Sequence, residues 1–268
     1  MKKITIIVLS IILMLDSISL YAWGQKGHDI VAAIAEQNLT RKAKKEIEKL
    51  LGGNSIIYYS SWMDNLQNSP YWKDGYDVTK TWHYANVDKG QTYHTMPKNE
   101  KGDILTGLEK LTDALTEHYD ELTDSMKVDY IKMIVHMVGD IHCPMHAGRL
   151  SDLGGNRTKV KWFGSNTNLH SVWDSKIIDS SRKWSYSEWA SHLDRQNKKF
   201  KKSVMRGTYE EWFMGSVANA AEIYDYIERL GSKPNLSYQF VYDFSPMLEE
   251  QLLLGGYRLA YVLNEIFG

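Results

Sequence analysis

The chain has one cysteine, Cys143, in 268 residues, so no disulfide can form within it. A domain of this size must then be held by its apolar core, which a chain this long can build. Net charge is also nearly absent, at −1, which excludes a long-range electrostatic pull on polyanions. Any recognition of nucleic acid would have to be local. Alternating strand-like patterns are scarce, and there is no internal repeat, low-complexity tract or linker that would divide the chain into two domains. The one long apolar run, Ile4 to Leu15, is too short to span a bilayer comfortably, and Asp16 interrupts it.

That run, preceded by Met1-Lys2-Lys3 and followed by the small and mixed residues Ser17 to Ala22, has the layout of a secretory signal peptide. The expectation is cleavage between Ala22 and Trp23, giving an exported protein, periplasmic or secreted, with no stable membrane association once the leader is gone. Removal of residues 1–22 leaves 246 residues, or one large domain over 23–268. Lys2, Lys3 and Asp16 go with the leader, so 30 basic and 32 acidic residues remain, a net of −2. Helical spacing then dominates. Helices are expected over Gly27–Leu39, from Thr40 as N-cap to Leu51, over Asp103–Leu122 and over Ser125–Ile141. More follow over Leu169–Ser180, Ser187–Ser203, Tyr209–Arg229 and Ser245–Phe267, with a short one within 55–65. Asn68–Gly102 reads as mostly loop, and Gly148–Thr167 as an excursion holding a short hairpin around Val160-Lys161-Trp162. The fold class is therefore all-α, a single helical domain with at most a small hairpin, expected to be a monomer.

Chemistry is carried by the histidines and aspartates. His136 and Asp140 stand one helical turn apart on one face, with His146 just past Pro144, and His170 and Asp174 repeat the spacing. Both pairs lie among apolar residues, where a charged group is costly unless paired or bound to metal. One such pair alone would read as a hydrogen-bonded couple in a core. Two pairs plus His146, with only nine histidines in the chain, point to metal. Imidazole and carboxylate together suit zinc, whereas calcium or magnesium would take oxygen almost throughout. His142 faces a different side of the helix and reads as structural. His94, His118 and His192 read as surface or core residues, and Lys198-Lys199 with Lys201-Lys202 as a solvated face.

An ordered set of short motifs resembles the S1/P1 nucleases, within the zinc-dependent phospholipase C/P1 nuclease fold. The set begins with Trp23-Gly24-x-x-Gly27-His28, Ser61-Trp62-Met63-Asp64 and Trp82-His83-Tyr84. It continues through His136-x-x-x-Asp140-Ile141-His142-x-Pro144-x-His146, Gly154-Gly155-Asn156, Leu169-His170-x-x-Trp173-Asp174 and Gly256-Tyr257-Arg258-Leu259-Ala260. The resemblance implies three zinc ions. Asp64, His83, His136 and Asp140 would hold the first, and His146, His170 and Asp174 the second. Trp23, through its free amine and carbonyl oxygen, would hold the third with His28 and the other oxygen of a bridging Asp140. A retained leader would put an amide where an amine is needed. The implied enzyme is a zinc-dependent endonuclease and 3′-nucleotidase that cuts single-stranded DNA and RNA by a zinc-activated water, leaving 5′-phosphates. Asp64 would orient or deprotonate that water, Tyr84 is a candidate base-stacking platform, and Asn156 is a weaker candidate for lining the cleft.

Two rivals are weighed against this. A zinc phospholipase C shares the fold and most ligands but usually ends the second set with Glu, where this chain has Asp174. A periplasmic zinc-binding protein without catalysis would more naturally show a histidine-rich tract than single ligands scattered along the chain.

Overall fold

A computed structural model describes residues 23–66, 68–69 and 75–268; the expected leader lies outside the described residues. Helices dominate, as the spacing requires. Helix α1 (Gln25–Gln37) buries Ile30, Val31, Ile34 and Ala35 against the long C-terminal helix α11 (Tyr238–Phe267) and against α8 (Tyr186–Leu193). Thr40 caps α2 (Arg41–Leu50) by accepting from the Ala43 amide, satisfying one of the amides a helix start leaves free. A short α3 (Trp62–Leu66) follows a turn of 3-10 helix at Ile56–Tyr59. Asp103 and Thr123 cap α4 (Ile104–Thr116) and α5 (Asp124–Asp140). The Asp103–Leu122 expectation therefore ends early, at Thr116, and continues only as a 3-10 turn at Tyr119–Glu121. The last two turns of α5 are buried throughout, which places His136 and Asp140 at the centre of the molecule.

Four other expectations change on folding. The hairpin is real, with β1 (Lys159–Trp162) antiparallel to β2 (Ser165–Asn168), but a third strand, β3 (Asn235–Leu236), pairs parallel with β1. Two residues are too few to carry a period, so the sequence pattern could not announce it. The helix expected over Leu169–Ser180 is α6 (Leu169–Ser171), a π-turn over Val172–Lys176 and α7 (Ile177–Ser181). The Ser187–Ser203 helix is two, α8 and α9 (Lys198–Val204). Asn197 caps α9 through the Phe200 amide, while Asp194 turns inward to accept from Lys201 and the Tyr257 hydroxyl. Finally, α11 begins at Tyr238, ahead of the expected Ser245, and runs through Pro246. The Ser245 hydroxyl donates to the Val241 carbonyl one turn back, inside this stretch. Helix α10 (Tyr209–Leu230) completes the bundle. Among the described residues no helix is long and apolar enough to cross a membrane.

Candidate metal centre

Residues from α1, α3, α5 and two loops converge where the end of α5 is most deeply buried. His136 and Asp140, one turn apart, bring Nε2 and Oδ2 to 3.2 Å. His83, from the loop after the 3-10 helix Tyr76–Thr81, places Nδ1 3.0 Å from the same Oδ2 and 3.0 Å from His136 Nε2. Asp64 on α3 brings Oδ1 to 3.4 Å from His136 Nε2 and 3.8 Å from His83 Nδ1. His28 on α1 takes the other side, with Nε2 3.2 Å from Asp140 Oδ1 and its ring stacked on His136 at 4.0 Å between centroids. The two oxygens of Asp140 thus face two different sets of nitrogens.

A second group lies alongside. His170 Nε2 is 3.1 Å from Asp174 Oδ2, and His146 Nε2 is 3.9 Å from Asp174 Oδ1, with the two imidazoles stacked. The two groups touch, because His146 Nδ1 is 3.8 Å from Asp140 Oδ2. Trp23 is fully buried at the foot of α1, and the next residue, Gly24, donates its amide to the Asp174 carbonyl at 2.6 Å.

Three histidines are aimed by main-chain carbonyls that the sequence did not reveal. His136 Nδ1 donates to Ser60, His146 Nδ1 to His83 and His170 Nδ1 to Gly154, at 2.8, 2.6 and 2.7 Å. A carbonyl can only accept, so each Nδ1 carries a proton and each Nε2 is the atom turned to the centre. Gly154 can serve because it sits at φ 62°, and a side chain there would run into the Met145 carbonyl. The Gly-Gly pair was the only visible signal of this arrangement.

These residues fit a cation. Lone pairs on His83 Nδ1, His136 Nε2 and Asp140 Oδ2 lie 3.0 to 3.2 Å apart, close to the roughly 3.3 Å between ligands of one tetrahedral zinc. His28 Nδ1 and Nε2, Asp64 Oδ1, Asp140 Oδ1 and His146 Nε2 are buried with no hydrogen-bond partner among the described residues. Such atoms lose hydration without recompense unless an ion sits among them. Electrostatics agrees. Burial alone would raise the Asp140 carboxyl, yet the His136 and His146 imidazoles hold it well below the usual range. Burial likewise opposes charge on His136, but Asp140 and Asp64 pull its pKa well up, so the centre draws in positive charge. Burial keeps His28 neutral, with a pKa of about 4, as a ligand must be.

The centre opens on one side. The His83 side chain is 15% exposed where that of His136 is 0%. Next to it Tyr84, half-buried, lines a cavity of about 220 Å³ with Asn86, Met96, Leu150 and Leu153. Asn156 spends its side-chain amide on the Leu153 carbonyl within its own loop. His142 is structural: Nδ1 donates to Val138 and Nε2 accepts from Arg258, while burial lowers its pKa to about 3. His94 and His118 are exposed and pair with Glu210 and Glu121, and His192 packs on Trp184. Lys201 bonds Asp194 and Asn38, so part of the basic run on α9 is structural.

A family model described as S1/P1 Nuclease matches residues 23–268. The chain is similar to Nuclease S1 of Aspergillus oryzae, 26% identical over 92% of this chain and 92% of that protein. It is similar to Nuclease P1 of Penicillium citrinum, 24% identical over 92% and 98%. Endonuclease 2 of Arabidopsis thaliana is 26% identical over 99% and 97%.

Proposed function

The chain belongs to the S1/P1 nuclease family, a zinc-dependent family of nuclease hydrolases, and from that premise we propose that it is an exported trinuclear-zinc phosphodiesterase. Its substrates are single-stranded DNA and RNA and 3′-nucleotides, and its products carry 5′-phosphates. The observation that carries this reading is the two-sided Asp140, with Oδ1 toward His28 and Oδ2 toward His83 and His136. A carboxylate so placed would bridge two ions. Asp64, His83, His136 and Asp140 would hold the first, and His146, His170 and Asp174 the second. Trp23, by its amine and carbonyl, would hold the third with His28 and Asp140.

Bound zinc supplies Lewis-acid activation of water and neutralises charge on the phosphate. The chain's own residues do the rest. Asp64 keeps one buried oxygen without a hydrogen-bond partner, and the net effect on its carboxyl, burial raising and His136 lowering, holds it ionised. It is placed to orient the attacking water or accept its proton. The carbonyl bonds fix the Nδ1 proton of three imidazoles, so that Nε2 is the atom each would turn to an ion. Tyr84, next to His83 in the chain and lining a cavity, would offer a ring on which one unpaired base can stack, which a duplex cannot present.

The test is turnover by protein starting at Trp23 on single-stranded DNA, RNA and phosphatidylcholine, with and without chelator, followed by analysis of product ends. Chelator-sensitive release of 5′-phosphate nucleotides is expected. Hydrolysis of the phospholipid alone would overturn the reading, as would zinc binding with no turnover of any substrate.

A further inference from the structure

The catalytic reading leaves Cys143 unused, although it is the most chemically distinctive buried side chain near the centre. It precedes Pro144 in the turn that joins α5 to His146, and it is fully buried. Its Sγ lies 3.6 Å from Asp174 Oδ1, on the oxygen turned away from His170. One atom each of Cys143, His146 and Asp174 lies within 4.8 Å of the others.

Two ligands of one tetrahedral zinc, at bond lengths of about 2.3 Å to sulfur and 2.1 Å to oxygen, stand about 3.6 Å apart. The Cys143–Asp174 separation matches. A second observation points the same way. His146 has its Nδ1 proton committed to the His83 carbonyl, while its Nε2, buried and without a hydrogen-bond partner among the described residues, faces the same space. The same separation suits an S–H···O hydrogen bond to Asp174, so it is the unpartnered His146 imidazole beside the pair that points to an ion.

We propose that Cys143 is a thiolate ligand of the second metal position, which it shares with His146, His170 and Asp174. The inference rests on the metal reading given above. On loading, the sulfur–metal bond forms as the S–H bond breaks, and the proton leaves to solvent without change of oxidation state. The position thereby gains a soft donor that the first position lacks, which favours zinc, cobalt or cadmium over magnesium or manganese. A second anion also joins Asp174 in balancing the dication.

Cobalt(II) loading reads this directly, without reference to activity. Zinc is exchanged for cobalt in the full processed protein, cobalt content is measured, and the near-ultraviolet spectrum is recorded. Because the chain has one cysteine, any sulfur-to-cobalt charge-transfer band must come from Cys143, so the wild-type spectrum decides the matter even if variants fold poorly. The band is expected on loading of one position, and Cys143→Ser should abolish it while weakening the tightest zinc roughly tenfold or more. Cobalt bound with only ligand-field bands would overturn the thiolate, leaving Cys143 as a hydrogen-bond donor to Asp174 and the metal reading intact. No cobalt bound at all would overturn both.

Discussion

His136 with Asp140 and His170 with Asp174 carry one spacing on two different backbones. The first pair rides a regular α-helix, and the second crosses from α6 into the π-turn at Val172–Lys176. Their Nε2–Oδ2 separations are nearly equal, 3.2 and 3.1 Å. Their surroundings are not. Asp140 meets His28, His83, His136 and His146, and against its burial His136, His146 and His28 hold its pKa well down. Asp174 meets two imidazoles and the Cys143 thiol, and burial wins, raising its pKa. One motif thus makes a shared, charge-rich anion at one position and a terminal, charge-poor one at the other. A π-turn widens the helix by one residue and re-aims its side chains, a device frequent at functional sites.

The largest break in this comparison should come from Asp140→Asn. It is expected to cost about a thousandfold or more in turnover and to deplete more than one zinc by elemental analysis, whereas Asp174→Asn should deplete one. Full turnover with undiminished zinc in Asp140→Asn would remove the bridging role. Next in size is one extra residue ahead of Trp23, which should weaken a single zinc and lower turnover about 10- to 100-fold. Unchanged stoichiometry there would show that the N-terminal amine is no ligand.

A smaller effect is expected from Gly139→Ala. The new Cβ would stand 2.7 Å from His28 Nδ1. Helix propensity favours Ala by about 1 kcal/mol, but crowding a packed core costs about 1–3 kcal/mol, so zinc on the His28 side should loosen without a gain in Tm. The smallest concerns His142, which carries no ligand role. Its folded pKa of about 3 is below the free value, so the folded state binds fewer protons. It contributes stability that is present above pH 6.5 and lost as pH falls toward 3. His142→Gln should flatten that part of the acid-unfolding curve; an unaltered slope would mean that other groups govern it.

Helix periods were legible because α1, α2, α4 and α5 carry apolar faces. Thr40 was legible as a cap, whereas the capping roles of Asp103 and Thr123 emerged on folding. The ligand-type residues were legible because burial makes His and Asp costly in such faces. What stayed hidden depends on tertiary contact. Strand β3 exists only because β1 is there to pair with it. The split between α8 and α9 reflects Asp194 being claimed by Lys201 and Tyr257 from elsewhere in the chain. The turns of α11 ahead of Ser245 stayed hidden because the packing that carries the helix through Pro246 is tertiary, not local. Cys143 read only as an absence of disulfides, since its nearness to Asp174 is a fact of folding.

The carbonyls of Ser60, His83 and Gly154 that steer three imidazoles have a bearing on heredity. Every residue type brings the same main-chain oxygen, so replacing the side chain at Ser60 removes no acceptor. At Ser60 aim is therefore insulated from point mutation and is inherited through the course of the backbone, whereas at Gly154 a side chain would meet the Met145 carbonyl. Lineages can drift at Ser60 while the His136 imidazole keeps its bearing, and changes that reroute the chain, insertions and deletions above all, would disturb it.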